Sequence, residues 1–397
     1  MEQLIKQGES MNLPKGWDMK KLEELCEILD NKRKPISQKN RVFGEYPYYG
    51  ATGIVDYVNE YIFNEDLILI GEDGAKWDSM ENSAFIVKGK YWVNNHAHVI
   101  RPLRAKILDN WIVFFLNYSN LLSYVTGLTV PKLNQEKLRS IGIPLPPLPE
   151  QLRIVSILDQ TFAALAKAKG NAQRNLQNAK ELFERYLQGV FESKIHGSKS
   201  ETLDELCELV VDCEHKTAPI QETGYPSIRT PNIGKGVLIL EDVNRVSHET
   251  YLDWTRRAIP KADDLILARE APAGNIAVIP EKIEVCLGQR TVLIRPKKNK
   301  FISKYLAYLI LSKGVQEKLL SHSRGATVEH INMKDIREFK IYNLSPISEQ
   351  NKVVANLDAL SAETKRLEAI YQQKLLNLEE LKKAVLQKAF NGQLSEL

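Results

Sequence analysis

The sequence predicts an α+β protein in which two repeated globular units are each followed by one long helix. Three observations predict it. Glu150, Val155, Leu158, Asp159, Leu182, Leu187, Gln188 and Phe191 recur as Glu349, Val354, Leu357, Asp358, Leu381, Leu386, Gln387 and Phe390, at one constant offset (349 − 150 = 390 − 191 = 199). Within the first copy, Val155, Leu158, Phe162, Leu165, Ala172, Leu176, Ala179, Phe183, Tyr186 and Val190 fall at alternating three- and four-residue steps, interrupted only at Lys169. A 3.5-residue repeat makes the narrow seam of a coiled coil rather than the wider face of a globular helix. Strand-like runs, finally, occur in the same order in both halves, and a period this long occurring twice is a duplication, not a solenoid.

Taken in order, Leu13-Pro-Lys-Gly-Trp17 opens the first unit, and amphipathic Leu22–Glu27 returns as Leu203–Glu208. Asp66–Ile70 reappears as Asp264–Ala268, Trp92–Pro102 pairs with Val285–Pro296, and Val125–Val130 answers Ser323–Val328. Helical stretches, Trp111–Leu122 and Lys304–Lys318, lie between the last two pairs. Short β-runs with few helices place the units in the α+β class. Pro144-Leu-Pro-Pro-Leu-Pro149 leads into the first long helix and Ser345-Pro-Ile-Ser348 into the second. Proline suits a helix start, where its missing N–H is no loss. In the second helix the seam runs Leu357, Leu360, Thr364, Leu367, Tyr371 and then shifts to Leu375 and Leu378. About 45 residues at 1.5 Å each give roughly 65–70 Å per helix. The expected segments are residues 13–149, a long helix over 150–197, 198–348, and a second long helix over 349–394.

A chain of 397 residues is too long for one ordinary core. No apolar run approaches bilayer length and no signal-peptide core follows Met1, so a cytoplasmic protein is expected. The four cysteines, Cys26, Cys207, Cys213 and Cys286, form no CxxC pair, which speaks against disulfides. Cys207, Cys213 and His215 lack a fourth ligand at suitable spacing for zinc. The net charge of +4 is mild, so any nucleic-acid footprint must come from local clusters.

The pattern resembles the specificity subunit of type I restriction–modification enzymes. The resemblance is carried by Pro146-Pro-Leu-Pro-Glu-Gln151 and Pro346-Ile-Ser-Glu-Gln350, each ahead of its long helix, with Leu13–Trp17, Tyr48-Tyr-Gly-Ala-Thr-Gly53 and Gly325–Asn332. It extends over residues 13–394. It implies that each unit is a target-recognition domain reading one half of a split, asymmetric DNA sequence. The helices would pack antiparallel as a spacer with pseudo-two-fold character and dock two methyltransferase subunits. Motor-nuclease subunits would complete the assembly, with S-adenosylmethionine, ATP and magnesium held by partners and no cofactor bound by this chain. The second copy lacks a Pro-x-Gly-Trp opening and a Pro-Pro pair.

Phosphates call for Lys and Arg, while base edges call for planar bidentate groups such as Arg, Asn and Gln. The candidates in the first unit are Lys32, Arg33, Lys34, Lys76, Trp77, Asn94, Asn95, His96, His98 and Lys132. In the second they are Lys216, Arg229, Thr230, Asn232, Arg269, Gln289, Arg290, Arg324, Thr327 and His330. Asn95 and Gln289 correspond when Arg101-Pro and Arg295-Pro are aligned (295 − 101 = 289 − 95 = 194). His96 and His98 are expected on one strand face. Tyr186, Leu187, Phe191 and Phe390 are the expected partner-binding residues on the helices. No phosphate loop, amino-methyltransferase run or nucleophile triad is present, so no catalytic residue is expected. Two alternatives stand beside this reading: a metal-dependent nuclease using Glu72 and Asp73, and a coiled-coil scaffold without a DNA role.

Overall fold

The computed structural model describes residues 13–127, 129, 131–321 and 330–394. The chain divides into two compact units. The first is the chain through Ala172 joined by the stretch from Gln373 onward, and the second is Gln173–Gln372. This packing differs from a linear division into segments, because each long helix begins in one unit and ends in the other.

Both long helices form. They run Leu148–Phe191 and Ile347–Phe390, 44 residues each, with the sequence offset of 199 kept at both ends (347 − 148 = 390 − 191). Each starts two residues before its Glu-Gln pair, inside the proline lead-in. The first gives way to a 3₁₀ turn, Glu192–Lys194, rather than continuing to residue 197. The seam holds along the second helix, where Leu357 and Thr364 are buried and Leu360, Leu367, Tyr371, Leu375 and Leu378 are partly covered. In the first helix Tyr186 leaves the seam for solvent and Leu187 is buried instead. Within the first unit the helical segments run antiparallel: Arg153 bonds the Leu394 carbonyl, Lys382 lies over the Phe162 ring, and Lys169 pairs with Glu379 at 2.5 Å.

The Glu-Gln motif has a physical meaning. Gln151 is fully buried; its Oε1 accepts from the Leu108 N–H at 3.0 Å, and its Nε2 donates to the carbonyls of Lys106 and Pro146, both at 2.9 Å. Gln350 repeats the clamp with the Ile302 N–H at 2.9 Å and the carbonyls of Lys300 and Ser345 at 2.7 and 2.9 Å. A buried amide with all of these groups paired fixes where each helix leaves its unit.

Each unit is built on two main sheets, beside shorter two-stranded pairings. In the first unit, Cys26–Ile28, Ala97–Pro102, Leu67–Gly71 and Ala84–Val87 form one antiparallel sheet in that order, and Gly53–Val58, Tyr46–Gly50, Lys90–Val93 and Phe63–Asn64 form a mixed one, with Tyr46–Gly50 and Lys90–Val93 parallel. In the second, Cys207–Asp212, Thr291–Pro296, Leu265–Ala268, Ile276–Val278 and Gly236–Val237 form one sheet, and Arg245–Val246, Tyr225–Ile228 and Cys286–Leu287 the other. The central strands Leu67–Gly71 and Leu265–Ala268 are buried on both faces, which is why they read as unbroken apolar runs. The expected single strands Trp92–Pro102 and Val285–Pro296 are each split in two by a turn. The chain crosses at that turn from the second sheet to the first. The helical stretches appear as Asp109–Tyr118 in the first unit, and as Ser303–Leu311 and Lys313–Leu320 in the second. Of the Val125–Val130 pair, a strand is seen at Val125–Thr126; Ser323–Val328 lies outside the described residues.

The ends of the long helices are core, not surface. Phe390 is 1% exposed and packs against Trp111, Phe115 and Tyr118 at ring distances of 5.0, 5.3 and 5.4 Å. Phe191 is equally buried and meets Tyr305 edge-on at 5.1 Å. Leu187 belongs to the same second-unit core as Phe191. Leu187, Phe191 and Phe390 are therefore corrected from partner-binding to structural residues; only Tyr186, 43% exposed, stays available. No helix among the described residues is long and apolar enough to cross a membrane.

Candidate nucleic-acid interface

In both units a polar seam forms where the central strand ends, because the chain leaves a fully buried strand and its next residues carry charge. In the first unit the strand ends at Gly71, and Glu72 follows. The Glu72 N–H donates to the His96 carbonyl at 2.8 Å, and its own carbonyl accepts from the Leu133 N–H at 2.8 Å. In the second unit Arg269 occupies the same place. Its N–H donates to the Arg290 carbonyl at 2.9 Å, and its carbonyl accepts from the Ile331 N–H at 3.0 Å. Bridges Asp73↔Lys132 and Glu270↔His330 complete the match. The backbone plan is one; the side chains differ.

The first seam centres on two carboxylates. Asp30 Oδ2 meets His98 Nδ1 at 2.6 Å and accepts from Gln135 at 3.0 Å, while Oδ1 accepts from the Val99 N–H at 2.9 Å. Burial pushes the Asp30 carboxyl up, but the hydrogen bonds from His98, Gln135 and Val99 outweigh it and hold the group below its ordinary value. Glu72 is ion-paired with Arg33 and with Lys132, the latter at 2.8 Å. There too the bonds from Lys132 and Arg33 overcome desolvation and depress the carboxyl. Arg33 also donates to the Ala97 carbonyl at 2.8 Å and approaches the Asn95 carbonyl at 3.4 Å.

The second seam is a chain of pairs. Arg269 Nη1 lies 2.7 Å from Asp212, its Nε donates to the Ile331 carbonyl at 2.8 Å, and its Nη2 meets His330 Nε2 at 3.0 Å. A guanidinium can only donate, so His330 Nε2 accepts and Nδ1–H donates to Glu270 Oε1 at 2.6 Å. Glu270 Oε2 in turn pairs with Arg290.

These contacts sort the candidates. Trp77, Asn94, His98 and Arg269 are corrected to interior residues. Trp77 donates its indole N–H to the Gly71 carbonyl at 3.2 Å, Asn94 caps the His96 N–H at 2.8 Å, and His98 is fully enclosed between Asp30 and the Leu133 carbonyl. Arg33, with 13% of its side chain exposed, serves the seam. His96 and His98 do not share a face: His96 stands out on the turn and His98 points into the core. Asn232 caps its own 3₁₀ turn, Thr230–Asn232, by accepting from the Arg229 N–H at 3.1 Å. Lys32, Lys34, Lys76, Lys216, Arg229 and Arg290 are exposed, Lys76 beside Glu81 at 3.5 Å, and Lys132, Gln289 and His330 are half-buried. Arg324 and Thr327 lie outside the described residues.

What the structure brings together is Asn95, His96 and Lys132 at the first seam, and Arg229, Gln289, Arg290 and His330 at the second. The Gln289 amide reaches the His215 carbonyl at 3.3 Å, beside Lys216. Asp30 and Asp212, which anchor the seams, carried no sequence signal, since their partners lie tens of residues away. Asp30, Glu72 and His98 gather in one place, as do Asp212, Cys213 and His215. In each case a guanidinium already meets the negative charge, and burial pushes the Cys213 thiol up, disfavouring thiolate. Cys207 packs in a different core from Cys213.

The model of the type I restriction modification DNA specificity domain matches the chain twice, at residues 14–173 and 197–377. A protein named as a type I restriction enzyme specificity subunit from Haemophilus influenzae is 27% identical over 349 residues, 86% of each chain. The MjaVIII specificity subunit of Methanocaldococcus jannaschii is 25% identical over 431 aligned positions, covering 99% of this chain and 96% of that protein. Among solved structures, the HsdS subunit from Thermoanaerobacter tengcongensis has a TM-score of 0.60 at 19% identity, over 98% of this chain and all of that one. A chain from a study of type I R-M complex assembly and conformational transition reaches 0.70 at 19% identity, over 96% of this chain and 98% of that one. Two family matches in tandem, on a fold these structures share, show that the chain belongs to the type I restriction modification DNA specificity family and is a specificity chain, not a catalytic one.

Proposed function

We propose that this chain reads a split, asymmetric duplex sequence, one half-site per unit, and holds the half-sites at a fixed separation through its paired helices. The observation that carries the reading is the pair of seams: one backbone plan presents Asn95-His96 in one unit and Gln289-Arg290 in the other. Two different half-sites need such modules, alike in frame and unlike in the groups that meet bases. Exposed Lys32, Lys34, Lys76, Lys216 and Arg229 supply phosphate contacts, which position a duplex without reading it.

Solvent-facing apolar residues on the helices, Leu152, Leu182 and Tyr186 on the first and Ile370, Leu376 and Leu381 on the second, suit docking of methyltransferase subunits. Motor-nuclease subunits join that assembly in the cytoplasm, and S-adenosylmethionine, ATP and magnesium act on the partners. Glu72 and Asp73 are held in ion pairs with Arg33, Lys132 and His96, which favours this reading over a self-contained nuclease.

Co-purification of the tagged chain, followed by mapping of methylated adenines in cells with and without it, tests the proposal. A methyltransferase should accompany the chain, and the mapped motif should have two dissimilar parts separated by unspecified bases. A contiguous motif, or metal-dependent cutting by the chain alone, would overturn it.

A further inference from the structure

We infer that the turns Asn95-His96 and Gln289-Arg290 are equivalent base-reading heads, and that the carboxylates of Asp73 and Glu270 are the positioning groups that aim them. This rests on the DNA-recognition reading above.

The two turns hold one topological place. Each follows a short strand that pairs in parallel in one sheet, Lys90–Val93 with Tyr46–Gly50 and Cys286–Leu287 with Tyr225–Ile228. Each precedes a strand of the other sheet, Ala97–Pro102 or Thr291–Pro296. The backbone is pinned on both sides of each turn. In the first, buried Asn94 caps the His96 N–H at 2.8 Å, and the Asn94 N–H donates to the Tyr49 carbonyl at 3.0 Å. In the second, the Thr291 hydroxyl donates to the Gly288 carbonyl at 2.8 Å, and the Arg290 N–H reaches Cys213 Sγ at 3.2 Å. A Cβ on Gly288 would meet the Ile228 carbonyl oxygen at 2.8 Å, so only glycine lets the turn approach Arg229 this closely. Arg290 sits at φ +66°, a left-handed conformation unfavourable for a side chain of its kind.

The side chains repeat one design in different chemistry. The first member is a planar amide, Asn95 or Gln289. The second is a donor, His96 or Arg290, with 51% and 61% of its side chain exposed. Each donor is tethered by the acid one residue beyond the seam position, Asp73 or Glu270, and these acids are 20% and 15% exposed. Each acid is itself held from behind, Asp73 near Lys132 at 3.9 Å and Glu270 by His330 at 2.6 Å. An acid that is fixed on one side and grips an exposed donor on the other limits the rotamers of that donor before any ligand arrives. That is how a supporting carboxylate pre-organises a recognition group. Amides pair with the adenine edge and Arg with guanine in the major groove, so the ligand of each head is a pair of adjacent base edges, purine-rich for the second.

The test uses the full chain co-purified with its methyltransferase partners and a library of randomised DNA duplexes, from which base preference is read at every position. Glu270→Ala should flatten preference roughly tenfold at one or two adjacent positions of one half-site and leave the other half-site unchanged. Asp73→Ala should do the reverse. Glu270→Gln, whose amide oxygen still accepts from Arg290 while its NH2 faces the His330 N–H, should restore part of the loss. Should Glu270→Ala not fold, Arg290→Lys keeps the charge but removes the planar fork, and must give the same localised loss. Preferences that are unchanged, or weakened evenly across both half-sites, overturn the inference while leaving the recognition reading intact. A wild-type complex with no base preference anywhere overturns that reading and the inference with it.

Discussion

Glu72 and Arg269 occupy the same backbone position in the two units, with the same two main-chain hydrogen bonds and opposite charge. Around Glu72 the cations come to the strand end: Arg33 from a loop and Lys132 from across the seam. Around Arg269 the acid comes instead, as Asp212. The pairing of a carboxylate with a guanidinium is kept, while the buried member of the pair and the element supplying each partner are exchanged. The lesson is that the frame depends on charge neutrality and backbone bonding at this point rather than on residue identity. Side chains can then diverge where a ligand is met without loss of fold.

The parts the units hold in common should show the largest and most symmetric effects. Phe390→Ala should cost the first unit about 3–5 kcal/mol and Phe191→Ala the second a similar amount, since each empties a fully buried aromatic site. Hydrogen exchange resolved by segment should show protection lost in the matching unit; equal loss in both units would mean that they do not unfold separately. The inverted seam comes next. Arg269→Ala takes the buried guanidinium from Asp212, leaving it only the exposed His215 at 3.1 Å, and should cost about 3–5 kcal/mol in urea unfolding. Glu72→Gln can still accept from Lys132 and should cost about 1–3 kcal/mol. Equal values would mean that burying a cation and burying an anion here are equivalent. Gln151→Ala and Gln350→Ala should each cost about 1–3 kcal/mol, because both strand buried backbone groups, and a marked difference between them would break the symmetry of the two clamps.

The smallest effect is in pH. Asp30 and Glu72 have folded-state carboxyl values below the ordinary ones, so the stability they contribute is complete above the unfolded value. It is lost as pH falls below about 4 and through the depressed folded values. Urea midpoints taken between pH 6 and pH 2.5 should fall more steeply for the wild type than for Asp30→Asn, which has no carboxyl there to protonate. Parallel curves would remove Asp30 from the account.

Much of the frame was legible because it is local and repeated. The constant offset located both long helices within a few residues of their ends, and the apolar runs Asp66–Ile70 and Asp264–Ala268 marked the central strands. The split of Trp92–Pro102 was signalled by Asn94-Asn95, a turn-forming pair, but the run of β-favouring residues around it outweighed that cue. The site was legible only in part. Asn95 and Gln289 align in sequence because their turns precede strands with a fixed Arg-Pro end. The burial of His98 could not be read, since its partner Asp30 lies 68 residues away and no spacing encodes that distance. Phe191 and Phe390 looked outward because a 3.5-residue seam says which face is apolar, not what covers it. Their cover is the globular unit at which each helix ends.

That last arrangement sets an order of assembly. The second unit is continuous, Gln173–Gln372, and can close as soon as that length has been synthesised. The first needs Leu386, Ala389 and Phe390 to fill the core around Trp111, and must wait for segments some two hundred residues apart in the chain. Joining such distant segments carries a loop-closure cost and slows folding. During synthesis the unit made first is therefore finished last, and its Trp111 pocket stays open to solvent, or to a chaperone, until the final helix arrives.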